Sequence, residues 1–236
     1  MKIAVYGNQC QDHKVEEIRA LFEALRASGA FIEVERGFLE YVKGLIPDVA
    51  ADKAVGDGEV SADVGVSIGG DGTFLRAAAW VGSRETPIFG VNTGHLGYLS
   101  DVSVADVSTF VAGLADGNFR IERRSLLQVD TNAGVALANR YALNEVAILK
   151  NASASMLAMD TSVDTTMLNT YLGDGLIIAT PTGSTAYNLS VGGPILHPAC
   201  SSFVLSPIAA HSLTMRPLVV PDTVEIAVTT RSERSH

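Results

Sequence analysis

The chain has 236 residues, of which 47% are hydrophobic and 18% charged, so it can bury a substantial core as one large or two modest domains. Its formal net charge of −9, without a cluster of Lys and Arg, argues against nucleic acid as a partner. No apolar stretch reaches the roughly 20 residues that span a bilayer, and the N-terminus lacks the features of a signal peptide. We therefore expect a cytoplasmic protein that does not bind membranes.

The first half of the chain alternates strands with helices. In chain order, the apolar patterns predict strand Lys2–Tyr6, helix Val15–Leu25, strand Phe31–Val34, helix Phe38–Ile46, strand Val64–Ile68, helix Phe74–Val81, strand Pro87–Val91 and helix Val104–Leu114. Strands that alternate with helices are typical of a parallel sheet. Residues 1–121 are therefore predicted to form an α/β nucleotide-binding domain.

After about Ile121 the helical patterns nearly vanish, and short β-rich runs separated by turn residues take over. The predicted strands are a hairpin of Leu126–Thr131 with Val135–Ala138, then Tyr141–Leu149, Met156–Val163, Leu176–Ala179, Phe203–Leu205, Leu218–Val220 and Val224–Thr229. Residues 122–236 are therefore predicted to form a β-rich, all-β sandwich-like domain.

The run from Gly69 to Thr73 reads GGDGT and lies between a predicted strand and a predicted helix. This position puts the Asp71 carboxylate at the carboxyl edge of the parallel sheet, where ligands bind in open α/β folds. The flanking glycines let phosphate oxygens approach the backbone, and N–H groups that open the next helix can bind them. A plain turn is the structural alternative. Neither a P-loop nor a G-x-G-x-x-G fingerprint is present.

A second polar run, GDGLIIATPTGSTAY at Gly173–Tyr187, joins a short apolar strand to a rigid turn that carries four hydroxyls. Such a turn suits sugar hydroxyls or phosphate, although a helix N-cap at Ser184 or Thr185 explains part of it and both can hold. Asn144 and Glu145 stand together inside the otherwise apolar predicted strand Tyr141–Leu149. A ligand contact and exposure on an edge strand explain this pair equally well.

Five blocks in this order resemble the NAD kinase family and extend over nearly the whole chain. They are GGDGTFLRAA at Gly69–Ala78, NTGHLGYL at Asn92–Leu99, NEVAI at Asn144–Ile148, GDGLIIATPTGSTAYNLSVGGPILHP at Gly173–Pro198 and SPIAAHSL at Ser206–Leu213. The first block is shared with diacylglycerol-type lipid kinases and phosphofructokinases. The specificity of the resemblance therefore comes from TPTGSTAY together with the Asn144–Glu145 pair.

The resemblance implies transfer of the terminal phosphoryl group of ATP, or of inorganic polyphosphate, to the 2′-hydroxyl of the adenosine ribose of NAD, giving NADP. It implies that Asp71 is the catalytic base, that Asp71 and Gly72 contact the dinucleotide and that Arg76 is a basic ligand contact. The other dinucleotide-binding positions that it implies are Asn144 and Glu145 at the ribose and adenine, Asp174 at the nicotinamide-side ribose, and Thr182, Thr185, Ala186, Tyr187, Asn188, Leu189, Ser190 and Ala209 along the pocket.

The expected cofactor is a divalent metal ion, Mg²⁺, because an acidic chain without a P-loop lysine cannot neutralise a triphosphate by itself. Phosphates and water would hold most of its coordination sphere, so no protein ligand is assigned. NAD and ATP are the expected small-molecule partners. Family members usually continue beyond the position of His236, so we expect the second domain to be incomplete at its C-terminus, and a homodimer or homotetramer if those strands are present.

Two other functions stay open at this point. One is a dinucleotide-binding regulatory module with weak catalysis, and the other is a lipid kinase that shares the GGDG run. The net charge and the lack of a basic amphipathic helix argue against the lipid kinase.

Overall fold

The computed structural model describes residues 1–94, 97–100, 102–132, 134, 137, 139–151 and 156–232. The chain divides into two compact units: residues 1–121 with 136–141, and residues 122–135 with 142–236. None of the described helices combines the length and the apolar character needed to cross a membrane.

The first unit contains a six-stranded sheet in which every neighbouring pair of strands is parallel. Its strands are β1 (Lys2–Gly7), β2 (Phe31–Glu35), β3 (Lys53–Val55), β4 (Val64–Ile68), β5 (Ile88–Asn92) and β6 (Val102–Ser103), in the spatial order β3-β2-β1-β4-β5-β6. This order is that of dinucleotide-binding folds, with a switch point between β1 and β4. The predicted parallel α/β architecture is confirmed.

Four helices cover the two faces of this sheet. They are α1 (Val15–Ala27), α2 (Arg36–Leu45), α3 (Asp71–Val81) and α4 (Val107–Ala115). On one face, α1, α2 and α4 bury apolar stripes, such as Ile18, Leu21 and Leu25 of α1, against the alternating apolar residues of β1, β2 and β4. On the other face, Trp80 and Val81 of α3 pack in a separate apolar cluster.

The observed elements depart from the predicted ones in ways that matter for the site. Helix α3 begins at Asp71 rather than Phe74, because the Gly70 carbonyl already accepts the N–H groups of Thr73 and Phe74 at 2.8 and 3.2 Å. The glycine-rich run is therefore the first turn of a helix. Strands β3 and β6 were not predicted, since three and two residues are too short to show a periodic pattern.

From residue 122 onward the regular elements of the described chain are almost all strands. They are β7 (Leu127–Gln128), β8 (Tyr141–Ala142), β9 (Glu145–Leu149), β10 (Leu157–Val163), β11 (Thr166–Gly173), β12 (Gly175–Ala179), β13 (Ser202–Ile208), β14 (Leu218–Pro221) and β15 (Ile226–Ser232), with one short helix, α5 (Tyr187–Ser190). Two antiparallel sheets, ordered β11-β10-β15 and β14-β13-β12-β9, form the second unit. Met159, Leu176 and Leu205 lie completely buried in its core. The predicted β-rich architecture is confirmed.

In this part of the chain one predicted strand was wrong, one observed strand was not predicted, and one predicted strand lies mostly outside the described residues. The single strand predicted over Tyr141–Leu149 was wrong, because it is interrupted at Leu143 and Asn144. Strand β11 was not predicted, because polar residues such as Thr170 disturb its apolar pattern; Thr170 donates a hydrogen bond to Asp160 across the sheet at 2.7 Å. Of the return strand predicted at Val135–Ala138, only Leu137 lies within the described residues.

Candidate active site

Asp71 lies at the carboxyl edge of the parallel sheet, beside the switch point. Strand β4 is buried along its whole length and leads directly into Gly69, whose φ of 144° is a conformation that favours glycine. A side chain at Gly69 would also meet Thr73, since a Cβ there would lie 2.9 Å from the Thr73 Cβ. These two constraints turn the chain sharply from the strand into α3 and place Asp71 at its first position.

Three consecutive backbone N–H groups orient the half-buried Asp71 carboxylate. Tyr98 donates to Oδ2 at 2.9 Å, while Leu99 and Ser100 donate to Oδ1 at 2.9 and 3.2 Å. A carboxylate has about four acceptor positions, so these contacts leave room for one ligand hydroxyl. Gly97 is required for this approach, because a Cβ at residue 97 would lie 2.9 Å from the Asp71 Cγ.

Gly72 and Arg76 extend this surface along α3. Gly72 is exposed, and an added Cβ would have no neighbour within 4 Å among the described residues, so the helix opens onto free space here. Arg76 lies one turn later, is exposed and donates to the Thr73 hydroxyl at 3.5 Å. Its positive charge also acts on the neighbouring Tyr6. Burial raises the pKa of the Tyr6 phenol, and the Arg76 guanidinium opposes that rise. Asp71, Gly72 and Arg76 therefore lie together on one helix.

In the second unit, the hydroxyl-rich turn follows β12 and packs against Asn144. Residues Thr182–Thr185 form a 3-10 turn, and the N–H of Thr180 donates to the Asn144 carbonyl at 2.8 Å. The Thr180 hydroxyl accepts the N–H of Gly183 at 3.1 Å. A Cβ at Gly183 would lie 2.7 Å from the Asn144 Cα, so glycine allows this close approach. The structure thus brings together the two motifs that the sequence places about 40 residues apart.

Glu145 begins β9 and carries a buried oxygen for which the described residues supply no hydrogen bond. Its Oε2 atom has no hydrogen bond to any described residue. Burial raises the pKa of this carboxyl above its ordinary value, and a hydrogen bond from the Tyr187 backbone N–H opposes the rise. An unpartnered acceptor of this kind is costly for a fold and suits a ligand that brings its own donor.

The predicted pocket residues from Thr182 to Ser190 differ in their exposure. Thr182 and Asn188 are buried, whereas Thr185, Tyr187, Leu189 and Ser190 are exposed and Ala186 is half-buried. The Asn188 amide donates to the carbonyls of Ser184 and Pro194, both at 3.1 Å, and its oxygen accepts the Ser206 hydroxyl at 2.6 Å. The Asn188 side chain therefore serves the turn itself, and a ligand contact by this side chain stays a prediction.

Asp174 and Ala209 lie next to each other at the ends of two strands. The Asp174 N–H donates to the Ile208 carbonyl at 2.9 Å, and Ala209 follows with a φ of 45°. The Asp174 carboxylate forms an ion pair with Lys150, with Nζ and Oδ1 2.7 Å apart. Asp174 is thus already paired with a cation that sequence reasoning missed.

Two further residues near the predicted positions were also missed. Arg124 donates to the Thr182 hydroxyl at 3.2 Å and pairs with Glu122, with Nη2 and Oε1 2.9 Å apart. In the first unit, the buried Gln11 donates to the Ile68 carbonyl at 3.1 Å and accepts the Thr93 hydroxyl at 3.0 Å. Neither residue stands in a motif, and only a contact across 57 or more residues reveals its role.

Within the described ranges, no three His, Cys, Asp or Glu side chains are grouped so as to hold a metal ion. His95, in the second of the resembling blocks, lies outside the described residues, as does His236. The cysteines, Cys10 and Cys200, are free and exposed.

The glycine-rich start of α3 lies beside the switch point of a parallel sheet, which is where open α/β folds bind nucleotides, so the fold and site define a nucleotide-binding protein. Family models narrow this class: the ATP-NAD kinase N-terminal domain matches residues 50–119, and the ATP-NAD kinase C-terminal domain matches residues 143–236. The chain belongs to the NAD kinase family.

Similar proteins agree with this assignment. An NAD kinase of Bacteroides fragilis is 45% identical over 237 residues, which cover 100% of this chain and 81% of that protein. One from Porphyromonas gingivalis is 44% identical over 234 residues, or 98% of this chain and 81% of the relative. The dinucleotide-binding module and the lipid kinase that the sequence left open are not supported by these matches.

Solved structures share the fold. The crystal structure of an NAD kinase from Archaeoglobus fulgidus in complex with ATP is 29% identical, with a TM-score of 0.68 and coverage of 98% of this chain and 81% of that one. Yeast NADH kinase complexed with NADH superposes with a TM-score of 0.82 over 100% of this chain and 70% of its own, at 22% identity. The second likeness concerns the fold alone.

Proposed function

We propose that the chain transfers the terminal phosphoryl group of ATP to the 2′-hydroxyl of the adenosine ribose of NAD, with Asp71 as the base. Membership of the NAD kinase family supports the reaction. The observation that carries the role of Asp71 is its carboxylate, held by three backbone N–H groups with one acceptor position left for a ligand. The carboxylate is thereby held in place for a ligand hydroxyl that donates a hydrogen bond to it.

The chemistry requires such a group because a ribose hydroxyl is a poor nucleophile. As the 2′-oxygen forms its bond to the γ-phosphorus, Asp71 takes the hydroxyl proton, and the bond from phosphorus to the bridging oxygen breaks to release ADP. A positioned base of this kind typically contributes about 10²- to 10⁴-fold in rate. The fixed amide donors keep the carboxylate in place and so reduce the reorganisation needed during the reaction.

The start of α3 supplies the environment for the phosphates. N–H groups at a helix N-terminus and the helix dipole both favour anions, and Gly72 leaves the approach open. Arg76, one turn further on, adds a positive charge to this surface, in a chain whose net charge is −9. These features support the roles proposed for Gly72 and Arg76.

In the second unit, Glu145 is the best-supported contact to the dinucleotide. Its buried Oε2, which no described residue hydrogen-bonds, can accept a hydrogen bond from a ribose hydroxyl or from the amino group of the adenine. Asn144, which packs against the turn, would share this task. The remaining proposed contacts are Asp174 and Ala209 at the nicotinamide-side ribose, and Thr182, Thr185, Ala186, Tyr187, Asn188, Leu189 and Ser190 along the turn and α5.

Mg²⁺ is proposed to arrive bound to the phosphates of the nucleotide substrate, which with water would fill most of its coordination sphere. Bound to the phosphates, it would neutralise charge on the donor. Polyphosphate as an alternative donor, and assembly into a homodimer or homotetramer, stay predictions.

The test is an assay in which the protein receives NAD with either ATP or polyphosphate, and NADP is followed with a coupled dehydrogenase. We expect NADP from ATP in the presence of Mg²⁺, none after chelation with excess EDTA, and recovery when Mg²⁺ is restored. A folded protein that binds NAD and yields no NADP with any donor would contradict the proposed function. Diacylglycerol as a parallel acceptor tests the lipid kinase alternative.

A further inference from the structure

The position of the Ser100 peptide determines one of the three hydrogen bonds to Asp71. Its N–H donates to Asp71 Oδ1 at 3.2 Å, and the residue is completely buried. On the other side of the residue, the Ser100 carbonyl accepts the Asn92 side-chain amide at 3.3 Å and the Gly97 N–H at 3.3 Å. The backbone of Ser100 is therefore held at both its N–H and its carbonyl.

Asn92 is the last residue of β5, and its buried side chain forms hydrogen bonds to the backbone of both Gly94 and Ser100. Its Oδ1 accepts the Gly94 N–H at 2.7 Å, while its Nδ2 donates to the Ser100 carbonyl. An amide is suited to this position because it offers an acceptor and a donor at the same time. Asn92 thus links the end of β5 to the segment that orients Asp71.

Gly90 lies two residues earlier on β5, where a missing side chain leaves the space that Ser100 fills. A Cβ at Gly90 would lie 2.7 Å from the Ser100 Cα and 2.9 Å from its Cβ. Because the first of these neighbours is backbone, it could not move without shifting the whole segment. Residues two apart on a strand point to the same face, so Gly90 and Asn92 act on the segment from one side.

We propose that Asn92 and Gly90 are positioning residues for catalysis: through the Ser100 peptide they set where the Asp71 carboxylate lies. This inference rests on the proposed role of Asp71 as the base. Neither side chain is proposed to touch a substrate. Displacing the segment should therefore impair the chemical step while leaving the binding of NAD nearly unchanged.

The first test is Asn92→Asp at about pH 8, above the ordinary pKa range of aspartate. The new side chain keeps the acceptor for Gly94 but replaces the donor to Ser100 with an oxygen that repels its carbonyl. We expect kcat to fall about 10- to 100-fold, as for a displacement of roughly 1 Å at a reacting group. The Kd for NAD, measured by calorimetry, should change less than about threefold, or about 0.7 kcal/mol.

Gly90→Ala is the second test, and Gly65→Ala is its matched control. Both add one methyl to neighbouring strands of the same sheet, but a Cβ at Gly65 meets only the Ile88 side chain at 3.2 Å, with the nearest backbone atom, the Pro87 carbonyl oxygen, at 3.6 Å. Gly90→Ala should lower kcat as Asn92→Asp does, and Gly65→Ala should leave it near the wild-type value. Retained NAD binding shows that each variant is folded.

Combining Asn92→Asp with Asp71→Asn separates this inference from the proposed function. If Asn92 acts through Asp71, adding Asn92→Asp to the Asp71→Asn variant should cause little further loss of kcat. Losses that multiply in the double variant, or wild-type kcat in both Asn92→Asp and Gly90→Ala, would overturn the positioning role. Full activity of Asp71→Asn alone would instead contradict the base assignment.

Discussion

The Glu145 side chain lowers the stability of the free protein, so stability alone does not explain a glutamate at this position. A buried carboxylate oxygen without a donor among the described residues costs stability, because it loses hydration and gains no hydrogen bond. The raised pKa of Glu145 has the same cause. We interpret this cost as a consequence of holding an acceptor ready for the dinucleotide.

Glu145→Gln should therefore stabilise the free protein while weakening its binding of NAD. A group whose pKa is raised in the folded state contributes stability that is fully present below its unfolded pKa and is lost as the pH rises through the folded pKa. The wild type should thus lose stability relative to the Gln variant between about pH 4 and pH 8. Because the carboxyl is only half-buried, we expect a difference of about 1 kcal/mol at most, or roughly 2–4 °C in the thermal midpoint.

Urea unfolding at both pH values checks this prediction, with NAD affinity measured by calorimetry. Glu40→Gln, at an exposed position on α2, is the control for removing one negative charge. Equal stability of Glu145→Gln and the wild type at pH 8, together with unchanged NAD affinity, would contradict the account.

At the scale of elements, the turn Thr182–Thr185 depends on its contact with the chain at Asn144. The hydrogen bond from Thr180 to Asn144 and the approach of Gly183 hold β12 and the start of β9 at a fixed separation. Because the backbone of Asn144 limits this separation, the turn and the Asn144–Glu145 pair should behave as one structural unit.

Gly183→Ala should therefore damage both stability and binding. The added methyl overlaps the Asn144 backbone, and overpacking of this kind typically costs about 1–3 kcal/mol. We expect the Kd for NAD to rise at least about tenfold, which corresponds to about 1.4 kcal/mol. Thermal unfolding and calorimetry measure the two effects, and Gly44→Ala, in a helix where no described atom lies within 4 Å of the new Cβ, is the control. A variant with normal NAD affinity would show that the turn binds independently of Asn144.

At the scale of the whole molecule, the sequence predicted those features that repeat along the chain. Alternating strands and helices predicted the parallel sheet, and strand β4 was placed at Val64–Ile68 as the structure has it. Short strands such as β3 and β6 were not predicted, because their pairing with neighbouring strands defines them and their own sequence pattern does not. The start of α3 was placed three residues late, since glycine lowers helix propensity and conceals the first turn.

The candidate site was predictable where a motif is local and not where contacts are distant in sequence. Asp71 and the Gly173–Tyr187 run could be chosen from their neighbours alone. The donors that orient Asp71 come from residues 98–100, and the cations at Thr182 and Asp174 come from Arg124 and Lys150. Such pairings depend on tertiary packing, which periodicity does not encode.

The turnover of Asp71→Asn tests directly whether Asp71 is the base. The substituted amide keeps the size of the carboxylate but cannot accept the hydroxyl proton, so kcat should fall about 10²- to 10⁴-fold. The Kd for NAD, measured by calorimetry on the same protein, should stay close to the wild-type value. Asp57→Asn, an exposed aspartate before a glycine of positive φ, is the matched control and should retain full activity. Wild-type turnover in Asp71→Asn would show that Asp71 does not take the proton from NAD.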